Sequence, residues 1–348
     1  MLGRGLGGLE QAMLDYADAL RLLGHDVHAV VRPDAAVRAA LEERQGAAHT
    51  LAHLGAWDIV AAARLRRLLR QIRPDVSIAH GNRAMSLLRQ AGAEPLIAVL
   101  PNYKMKCHGA AAVFYPTLDL KRFAQSQNVS EDRLYHIPSM VNVPPSPPRR
   151  ANRQPPVIGA MGRFVPKKGF ELFVTALGLM RAQGISFQAV LAGEGPERAS
   201  LHRLARECGV RDVLRFPGWV MDKAAFFDGI DVFCLPSHHE PFGIVLIEAM
   251  AAAMPIVATD SEGPSEILRN GTHAVLVPRG DPECLAQALA AMLAEPDRAA
   301  WLAQNGYREA RETYHLPRVG ARLEQAIRQV LEQRPIQAAP QSMQPPEA

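Results

Sequence analysis

Two glutamates, Glu240 and Glu248, lie eight residues apart across a Pro-Phe-Gly turn. The apolar run 231–235 before them predicts a strand, and the apolar residues after Gly243 predict a helix. The free backbone N–H groups and the dipole of such a helix N-terminus form a binding site for anions. We expect Glu240 on the turn and Glu248 about two helical turns further along the same crevice. Carboxylates accept hydrogen bonds from hydroxyl groups, so this pattern suits a ligand with phosphates and hydroxyls, such as a nucleotide sugar.

A second polar loop, with Arg163 and Lys168, follows the predicted strand 157–161. A guanidinium group offers a planar fork to phosphate oxygens, and an ammonium group offers a mobile point charge. The loop is therefore either a phosphate site or a solvated basic surface.

The segment 237–251 resembles the Glu-x7-Glu signature of the retaining glycosyltransferases of family 4, which have the two-Rossmann-domain (GT-B) fold. Further segments that resemble this family follow in the expected order along the second half of the chain. They are 162–169, 193–196, 216–219, 255–259 and 263–267. Together they predict an α/β fold of two doubly wound parallel sheets that face each other across a cleft.

The resemblance also implies roles for individual residues. Arg163 and Lys168 match the pair that binds the donor diphosphate, Glu240 the residue that contacts the hydroxyl groups of the donor sugar, and Glu248 the residue that binds the ribose. The other residues of the implied donor site are Gly8, Gly162, Gly193, Phe242, Gly243 and Ile244. The catalytic residues predicted on this basis are Arg163, Lys168, Glu240 and His80.

His80 follows a predicted strand, and the carboxyl ends of parallel strands line the cleft of an α/β fold. It is expected either to orient the acceptor or donor, or to be an ordinary surface histidine. Many family members carry a histidine at the end of the next strand, where this chain has Pro101. The chain is therefore either a slowed enzyme or one that uses His80, His108 or Asn102 instead.

The composition is that of a globular protein large enough for two domains, with 348 residues, 48% apolar and 21% charged. Residues 1–150 carry a net charge of +6 and the remainder −2, which indicates different partners for the two halves. The four cysteines have no paired spacing and are expected to be reduced thiols. Neither a transmembrane run nor a signal peptide is predicted, and we expect a cytoplasmic protein, at the inner face of the cell membrane if it contacts lipid.

The alternation of short apolar runs with helical patterns predicts the domain organisation. The proline-dense stretch 144–156 predicts a linker between an acceptor-binding domain, 1–143, and a nucleotide-sugar-binding domain, 157–317. An amphipathic pattern predicts a final helix, 318–334, which by resemblance packs back on the first domain. The Gln- and Pro-rich tail 335–348 is expected to be disordered.

The glycine loop 7–10 comes almost at the start of the chain, whereas family members place a strand before it. We expect either a start assigned too far downstream, which we favour, or a domain that lacks this central strand. Residues 3–8 also satisfy G-x-G-x-x-G, the dinucleotide-binding pattern, but the required preceding strand is missing and we do not favour a nicotinamide enzyme.

The predicted helix 57–73 is basic and amphipathic. It is either an ordinary outer helix with a solvated basic face or a contact with an anionic membrane. No nucleic-acid partner is predicted, because no recognition motif or interleaved aromatic residues accompany the basic residues.

The sequence thus predicts a retaining glycosyltransferase that moves a sugar from a UDP-, GDP- or ADP-sugar to a glycan or lipid-linked acceptor in cell-envelope polysaccharide synthesis. No cofactor and no metal are expected. The resemblance implies a front-face reaction in which the leaving phosphate helps to deprotonate the acceptor. Two alternatives remain open: a catalytically impaired homologue that binds nucleotide sugars or glycans, and a two-domain enzyme such as a nucleotide-sugar epimerase or a phosphorylase.

Overall fold

The computed structural model of the chain describes residues 2, 7–44, 47–55, 57–148 and 153–333. The start of the G-x-G-x-x-G pattern, part of the linker and the predicted disordered tail lie outside these residues. The described chain forms two α/β domains in which every strand pair is parallel.

The N-terminal domain contains two parallel sheets, β1-β2 and β3-β4-β5-β6. Its strands are β1 (His28–Val31), β2 (Ala47–Thr50), β3 (Ser77–His80), β4 (Leu96–Val99), β5 (Ala112–Tyr115) and β6 (Leu134–His136). Its helices are α1 (Gly8–Leu22), α2 (Val37–Glu43), α3 (Ile59–Ile72), α4 (Asn82–Ala91) and α5 (Leu118–Ser126), and a 3-10 turn covers Glu131–Arg133.

The two N-terminal sheets do not pair with each other. An apolar cavity of 110 Å³ lies between β1 and β3, with Val30 and Ile78 on its two sheet walls and Leu65 on its helical side. Among the described residues no strand precedes α1, and β1 and β3 each leave one edge without a strand neighbour.

The C-terminal domain contains one sheet of six described strands in the order β12-β11-β10-β7-β8-β9. The strands are β7 (Val157–Met161), β8 (Gln188–Ala192), β9 (Leu214–Arg215), β10 (Val232–Leu235), β11 (Ile256–Thr259) and β12 (Val275–Val277). The helices are α6 (Phe170–Ala182), α7 (Arg198–Glu207), α8 (Lys223–Asp228), α9 (Ile244–Ala251), α10 (Glu262–Ile267), α11 (Pro282–Ala294) and α12 (Pro296–Glu309), with a 3-10 turn at Pro166–Lys168.

The direction of winding reverses between β7 and β10. From β7 the chain adds β8 and β9 on one side, then returns to add β10, β11 and β12 on the other. The crevice outside the carboxyl ends of the strands at such a switch point is where doubly wound sheets bind ligands. The two loops that the sequence identifies as polar, after β7 and after β10, are the loops on either side of this crevice.

A final helix, α13 (Leu316–Glu332), follows a π-helical turn at Ala310–Tyr314 and lies against the N-terminal domain. Its buried face includes Leu323 and Val319, which share a core with Tyr16 and Ala19 of α1. It begins two residues earlier than the predicted helix 318–334, because Pro317 fits the first turn of a helix. The chain thus crosses between the domains twice. None of the described helices is long and apolar enough to cross a membrane.

We expect Leu323→Ala to lower the free energy of unfolding by about 2–5 kcal/mol, because it leaves a cavity between α13 and the N-terminal domain. Urea denaturation measures the change, and Gln325→Ala, on the exposed face of α13, is the control. Equal stability of the two variants would contradict the packing of α13 described above.

Candidate functional site

A cavity of 1370 Å³ lies between the two domains, above the switch point of the C-terminal sheet. One wall is formed by the loops after β7, β8 and β10 and by the first turns of α9. The other is formed by the start of α1 and by the segments that follow β4 and β5. A cleft of this size accommodates a ligand as large as a nucleotide sugar.

The loops after β7 and β8 approach so closely that glycine is required. A Cβ atom at Gly193, where φ is +144°, would lie 1.8 Å from the carbonyl oxygen of Gly162. The amide N–H of Gly162 donates to the carbonyl oxygen of Ala192 at 3.0 Å. These contacts hold the β7 loop against the sheet, with Arg163 exposed and Lys168 half-buried at the cavity wall.

The loop after β10 carries Glu240, which is 7% exposed. Its carboxylate forms an ion pair with the Lys168 ammonium group and is 3.5 Å from the Ser237 hydroxyl group. Gly243, with φ of +93°, then turns the backbone into α9, so Ile244 begins the helix at the cavity wall. The structure therefore brings together the two polar loops that the sequence singles out.

The backbone of Glu240 is fixed by the start of α10. Its N–H donates to the Glu262 carboxylate at 3.1 Å, and its carbonyl oxygen accepts from the Gly263 N–H at 2.8 Å. Burial opposes ionisation of Glu262, but hydrogen bonds from its own backbone, His239, Glu240 and Arg279 outweigh this and hold the pKa of Glu262 at about 2. Glu262 is therefore a charged anchor for Glu240.

Glu248 is on the first turns of α9, four residues after Ile244, which is nearer the helix start than the two turns predicted. Its Oε1 atom accepts from the Lys223 ammonium group at 2.5 Å, and its buried Oε2 atom has no hydrogen-bond partner among the described residues. Glu248 lines the cavity, and its carboxylate is a hydrogen-bond acceptor that suits a hydroxyl group of a ligand.

Asp15 on α1 is also buried, at 6% exposure. Its Oδ1 atom accepts from the Gln11 amide at 2.7 Å, and its Oδ2 atom has no hydrogen-bond partner in the part of the chain that the structure describes. Burial raises the pKa of Asp15 to about 7, Gln11 partly offsets this, and the charge of Glu248 adds to it. No sequence pattern singles out this residue.

The N-terminal domain contributes the start of α1 to the cavity. The Gly7 N–H donates to the Glu10 carboxylate at 3.0 Å, and Gly8 lies opposite Ile244, whose Cδ1 atom is 3.5 Å from the position of a Cβ atom at Gly8. The N-termini of α1 and α9 therefore meet at one place in the cleft, and each helix N-terminus favours anions.

The structure does not bring His80 into the cavity. It is buried behind Tyr16, with the two rings edge to face at 5.0 Å, and it is not a surface histidine either. Burial lowers the pKa of His80 to about 3, so the imidazole is neutral. The reason is α1, which packs across the end of β3 and covers the side chain. Its predicted catalytic role has no geometric support here.

Pro101 lines the cavity at the place where the family carries a histidine, and Asn102 lies beside it. His108 is exposed and lies outside the cavity. No histidine lines the part of the cavity that the structure describes. Of the three substitutes considered from the sequence, only Asn102 is therefore in position to contact a ligand.

Two hydrogen bonds close the cleft at one side. The Thr117 hydroxyl group donates to the carbonyl oxygen of Pro241 at 3.2 Å, and the Leu118 N–H donates to the Glu266 carboxylate at 2.8 Å. Glu266 thereby binds the N-terminus of α5, a helix on the opposite domain. The contact fixes the N-terminal domain directly beside the Glu240 loop.

The charges around the cavity do not balance. Each of its carboxylates has a partner: Glu10 the Gly7 N–H, Glu194 Arg198, Glu240 Lys168 and Glu248 Lys223. Arg163, Lys167 and Lys104 also line the cavity, and none of the three forms an ion pair within the described chain. No group of described residues is arranged to hold a metal ion. The cavity is therefore a site for an anionic ligand.

Four residues that shape the site were missed by the sequence analysis. Glu10 caps the glycine loop, Lys223 pairs with Glu248, Glu262 anchors Glu240, and Lys104 adds a cation from the opposite domain. Only Glu10 had a local signal, since Glu three residues after a helix N-cap is typical of capping. The other three act across long sequence separations.

Two family models match the chain: Glycosyltransferase Family 4 over residues 6–144, and Glycosyl transferases group 1 over residues 146–309. The chain is 30% identical over 303 residues to the lipopolysaccharide core biosynthesis glycosyltransferase LpsD of Rhizobium meliloti, a match that covers 83% of this chain and 86% of that protein. It is 40% identical over 152 residues to LpsE of the same organism, a match that spans 44% of each protein.

Solved structures show the same fold. The structure of Anabaena Alr3699/HepE in complex with UDP and glucose matches with a TM-score of 0.81 at 19% identity, over 94% of this chain and 98% of that one. A sucrose-phosphate synthase from Thermosynechococcus elongatus matches with a TM-score of 0.76 at 19% identity, over 95% and 96%.

We expect Asp15→Asn to stabilise the protein increasingly as the pH rises from 4 to 7. A folded-state pKa near 7, against 3.8 for the unfolded chain, means that the folded state holds the extra proton in this range and loses stability as the pH rises. The gain of the variant approaches about 4 kcal/mol above pH 7. Denaturation at pH 5 and pH 8 measures it, with exposed Asp75→Asn as control; a gain that is independent of pH would contradict the buried, protonated carboxyl.

Proposed function

The chain belongs to glycosyltransferase family 4, and from this premise we propose that it transfers a sugar from a nucleoside-diphosphate sugar, with retention, to a glycan or lipid-linked acceptor of the cell envelope. The observation that carries the proposal is that the N-termini of α1 and α9 meet in the cavity whose wall also carries Arg163 and Lys168. The similarity to enzymes of lipopolysaccharide core synthesis supports the acceptor class, and the UDP and glucose in the HepE structure support the donor class.

In this proposal the donor diphosphate lies between Arg163, Lys168 and the start of α9. Arg163 has no partner among the described residues and can bind two phosphate oxygens, whereas Lys168 is already held by Glu240. The N–H groups of Gly243 and Ile244 come from the first turn of a helix whose dipole favours the negative charge. These groups stabilise the charge that develops on the departing diphosphate.

Glu240 and Glu248 then bind the hydroxyl groups at the two ends of the donor. Glu240, beside the diphosphate site, would accept hydrogen bonds from the sugar, and the carboxylate of Glu248 would accept one from the ribose. Trp219, which is 44% exposed at the cavity wall, is placed to contact the base.

The reaction breaks the bond between the anomeric carbon and the diphosphate oxygen and forms one between that carbon and an acceptor hydroxyl oxygen. In the front-face reaction that the family resemblance implies, the acceptor proton would pass to the leaving diphosphate. The contribution of the protein is then mainly positioning and electrostatic stabilisation.

A catalytically impaired homologue that binds a nucleotide sugar without transferring it is the second candidate. Pro101 favours it, because proline replaces the family histidine at the cavity wall and has no side-chain hydrogen-bond donor. Both candidates would bind a nucleotide, but only the active glycosyltransferase would turn over a sugar donor.

We expect one of UDP, GDP and ADP to stabilise the protein by about 2.7 kcal/mol at a hundredfold excess over its dissociation constant. Arg163→Ala should lower the affinity for that nucleotide and reduce turnover of the corresponding sugar donor by about a hundredfold or more, because it removes a charge-assisted contact with the leaving group. Thermal denaturation measures the stabilisation and the affinity for the nucleotide, and release of the nucleotide from its sugar donor measures turnover.

The matched control is Arg215→Ala, which removes an exposed arginine of the same domain away from the cavity and should leave both properties unchanged. Stabilisation by a nucleotide without turnover of any of its sugar donors would favour the impaired homologue. The absence of stabilisation by all three nucleotides would refute nucleotide-sugar binding.

We also propose that the N-terminal end of α3 contacts an anionic membrane surface. Leu54, Trp57 and Ile59 form an exposed apolar tip, with Trp57 at 74% and Ile59 at 79% exposure. Further along α3 the exposed residues include four arginines, Arg64, Arg66, Arg67 and Arg70. An apolar tip beside basic residues fits an anionic lipid bilayer, which attracts each nearby cation by about 1 kcal/mol.

We expect Trp57→Ser to weaken binding to phosphatidylglycerol-containing vesicles about tenfold, since it removes an apolar side chain that would enter the bilayer interface. Vesicle sedimentation measures the partition coefficient. The control is Trp301→Ser, which removes a tryptophan that is 52% exposed on α12, in the other domain. Equal effects of the two substitutions, or equal binding to neutral vesicles, would contradict the membrane contact.

A further inference from the structure

Two of the cations that line the cavity have no part in the proposed donor site. They are Lys104, in the segment after β4, and Lys167, in the loop after β7, so they come from opposite domains. Both side chains are exposed in the cleft, and neither forms an ion pair within the described residues.

The backbone around Lys104 is fixed from several sides. Its N–H donates to the Asn102 side chain at 2.8 Å, and its carbonyl oxygen accepts from the Asn82 amide at 2.7 Å. Asn82 also accepts from the Lys106 N–H at 2.8 Å, and the Tyr103 hydroxyl group binds the Asp119 carboxylate. The segment is therefore a rigid support that presents the Lys104 side chain to the cavity.

Lys167 is held in a similar way by its main chain, because its carbonyl oxygen accepts from the His239 N–H at 3.0 Å. The cleft walls lower the pKa of Lys167, Glu240 opposes this change, and the charges of Lys168, Lys104 and Arg163 add to it. The charge of Lys104 thus acts on Lys167 across the cleft, and neither lysine forms an ion pair within the described residues.

We propose that Lys104 and Lys167 bind an anionic group of the acceptor, so that the acceptor is a negatively charged glycan. This inference rests on the proposed glycosyl transfer. The position of Lys104 identifies the acceptor, because it shares the N-terminal wall with Pro101 and Asn102, opposite the loops that would hold the donor. An ammonium group is a compact point charge and accepts either a phosphate or a carboxylate.

The donor diphosphate does not account for these two lysines. Arg163, Lys168 and the two helix N-termini already surround the place proposed for it. An anion between Lys104 and Lys167 would relieve their repulsion and would bridge the two domains, so that an acceptor carrying it is held across the closed cleft.

The test uses the full chain saturated with whichever of UDP, GDP and ADP stabilises it most. Glucose, glucuronate and glucose 6-phosphate are titrated by calorimetry, and they differ chiefly in the charged group. We expect the two anionic sugars to bind about tenfold or more tightly than glucose at low salt, with an advantage that shrinks as salt rises. If glucose 6-phosphate binds more tightly than glucuronate, the anionic group is a phosphate, and the reverse order indicates a carboxylate. If these two anionic sugars bind equally and both bind more tightly than glucose, the site accepts either group.

Lys104→Gln and Lys167→Gln should each remove most of this advantage, about fivefold to tenfold, while the nucleotide affinity stays within about threefold of the original. The control is Lys106→Gln, which removes an exposed lysine two residues along that does not line the cavity. It tests whether net charge alone is responsible, and it should leave the binding of all three sugars unchanged.

Equal binding of glucose and the anionic sugars would overturn the inference, as would an equal loss in Lys106→Gln. Displacement of the nucleotide by the anionic sugars would also overturn it, because the lysines would then belong to the donor site. If no nucleotide stabilises the protein, the proposed donor binding fails separately, and the same titrations on the nucleotide-free chain still decide whether Lys104 and Lys167 select an anion.

Discussion

The site depends on backbone segments that approach each other more closely than any Cβ atom would allow. A Cβ at Gly193 would lie 1.8 Å from the Gly162 carbonyl oxygen, and one at Gly169 would lie 2.1 Å from that of Pro236. The first contact joins the loops after β7 and β8, and the second joins the β7 loop to the end of β10. Because these loops are locked together by main chain, the side chains they carry can be charged and partly exposed without losing their positions. The ion pair of Lys168 with Glu240 then spans the switch point.

The C-terminal domain was largely predictable because its signals are local. The strand 157–161 was predicted with the bounds that the structure has, and Gly243 was correctly placed before α9. In a doubly wound sheet the carboxyl ends of the strands beside the switch point lie next to each other, so the proximity of the two polar loops could be predicted from the sequence. Contacts such as the one between Glu262 and the Glu240 backbone could not be predicted, because no local sequence pattern links α10 to that loop.

The N-terminal domain was less predictable, and His80 shows why. A histidine at the end of a parallel strand is expected at the cleft, yet whether it reaches the cleft depends on what packs over the strand. Here α1 places Tyr16 over the ring and excludes it. The sequence patterns of the short elements α2 and β2 were also too weak to predict them. The separation of β1 from β3 depends on how two sheets pack, and the periodicity of a single strand or helix carries no information on that.

The distribution of charge links the fold to the chemistry. If every cation in the cleft had a carboxylate partner, the site would gain little by binding a diphosphate, because each new contact would replace an existing one. Instead, Arg163 on one wall and Lys104 on the other form no ion pair within the described residues, whereas each carboxylate that lines the cavity already accepts a hydrogen bond. The proposed donor and the proposed anionic acceptor would then each meet a cation on its own wall. The contact of Glu266 with α5 holds the two walls together at one side of the cleft.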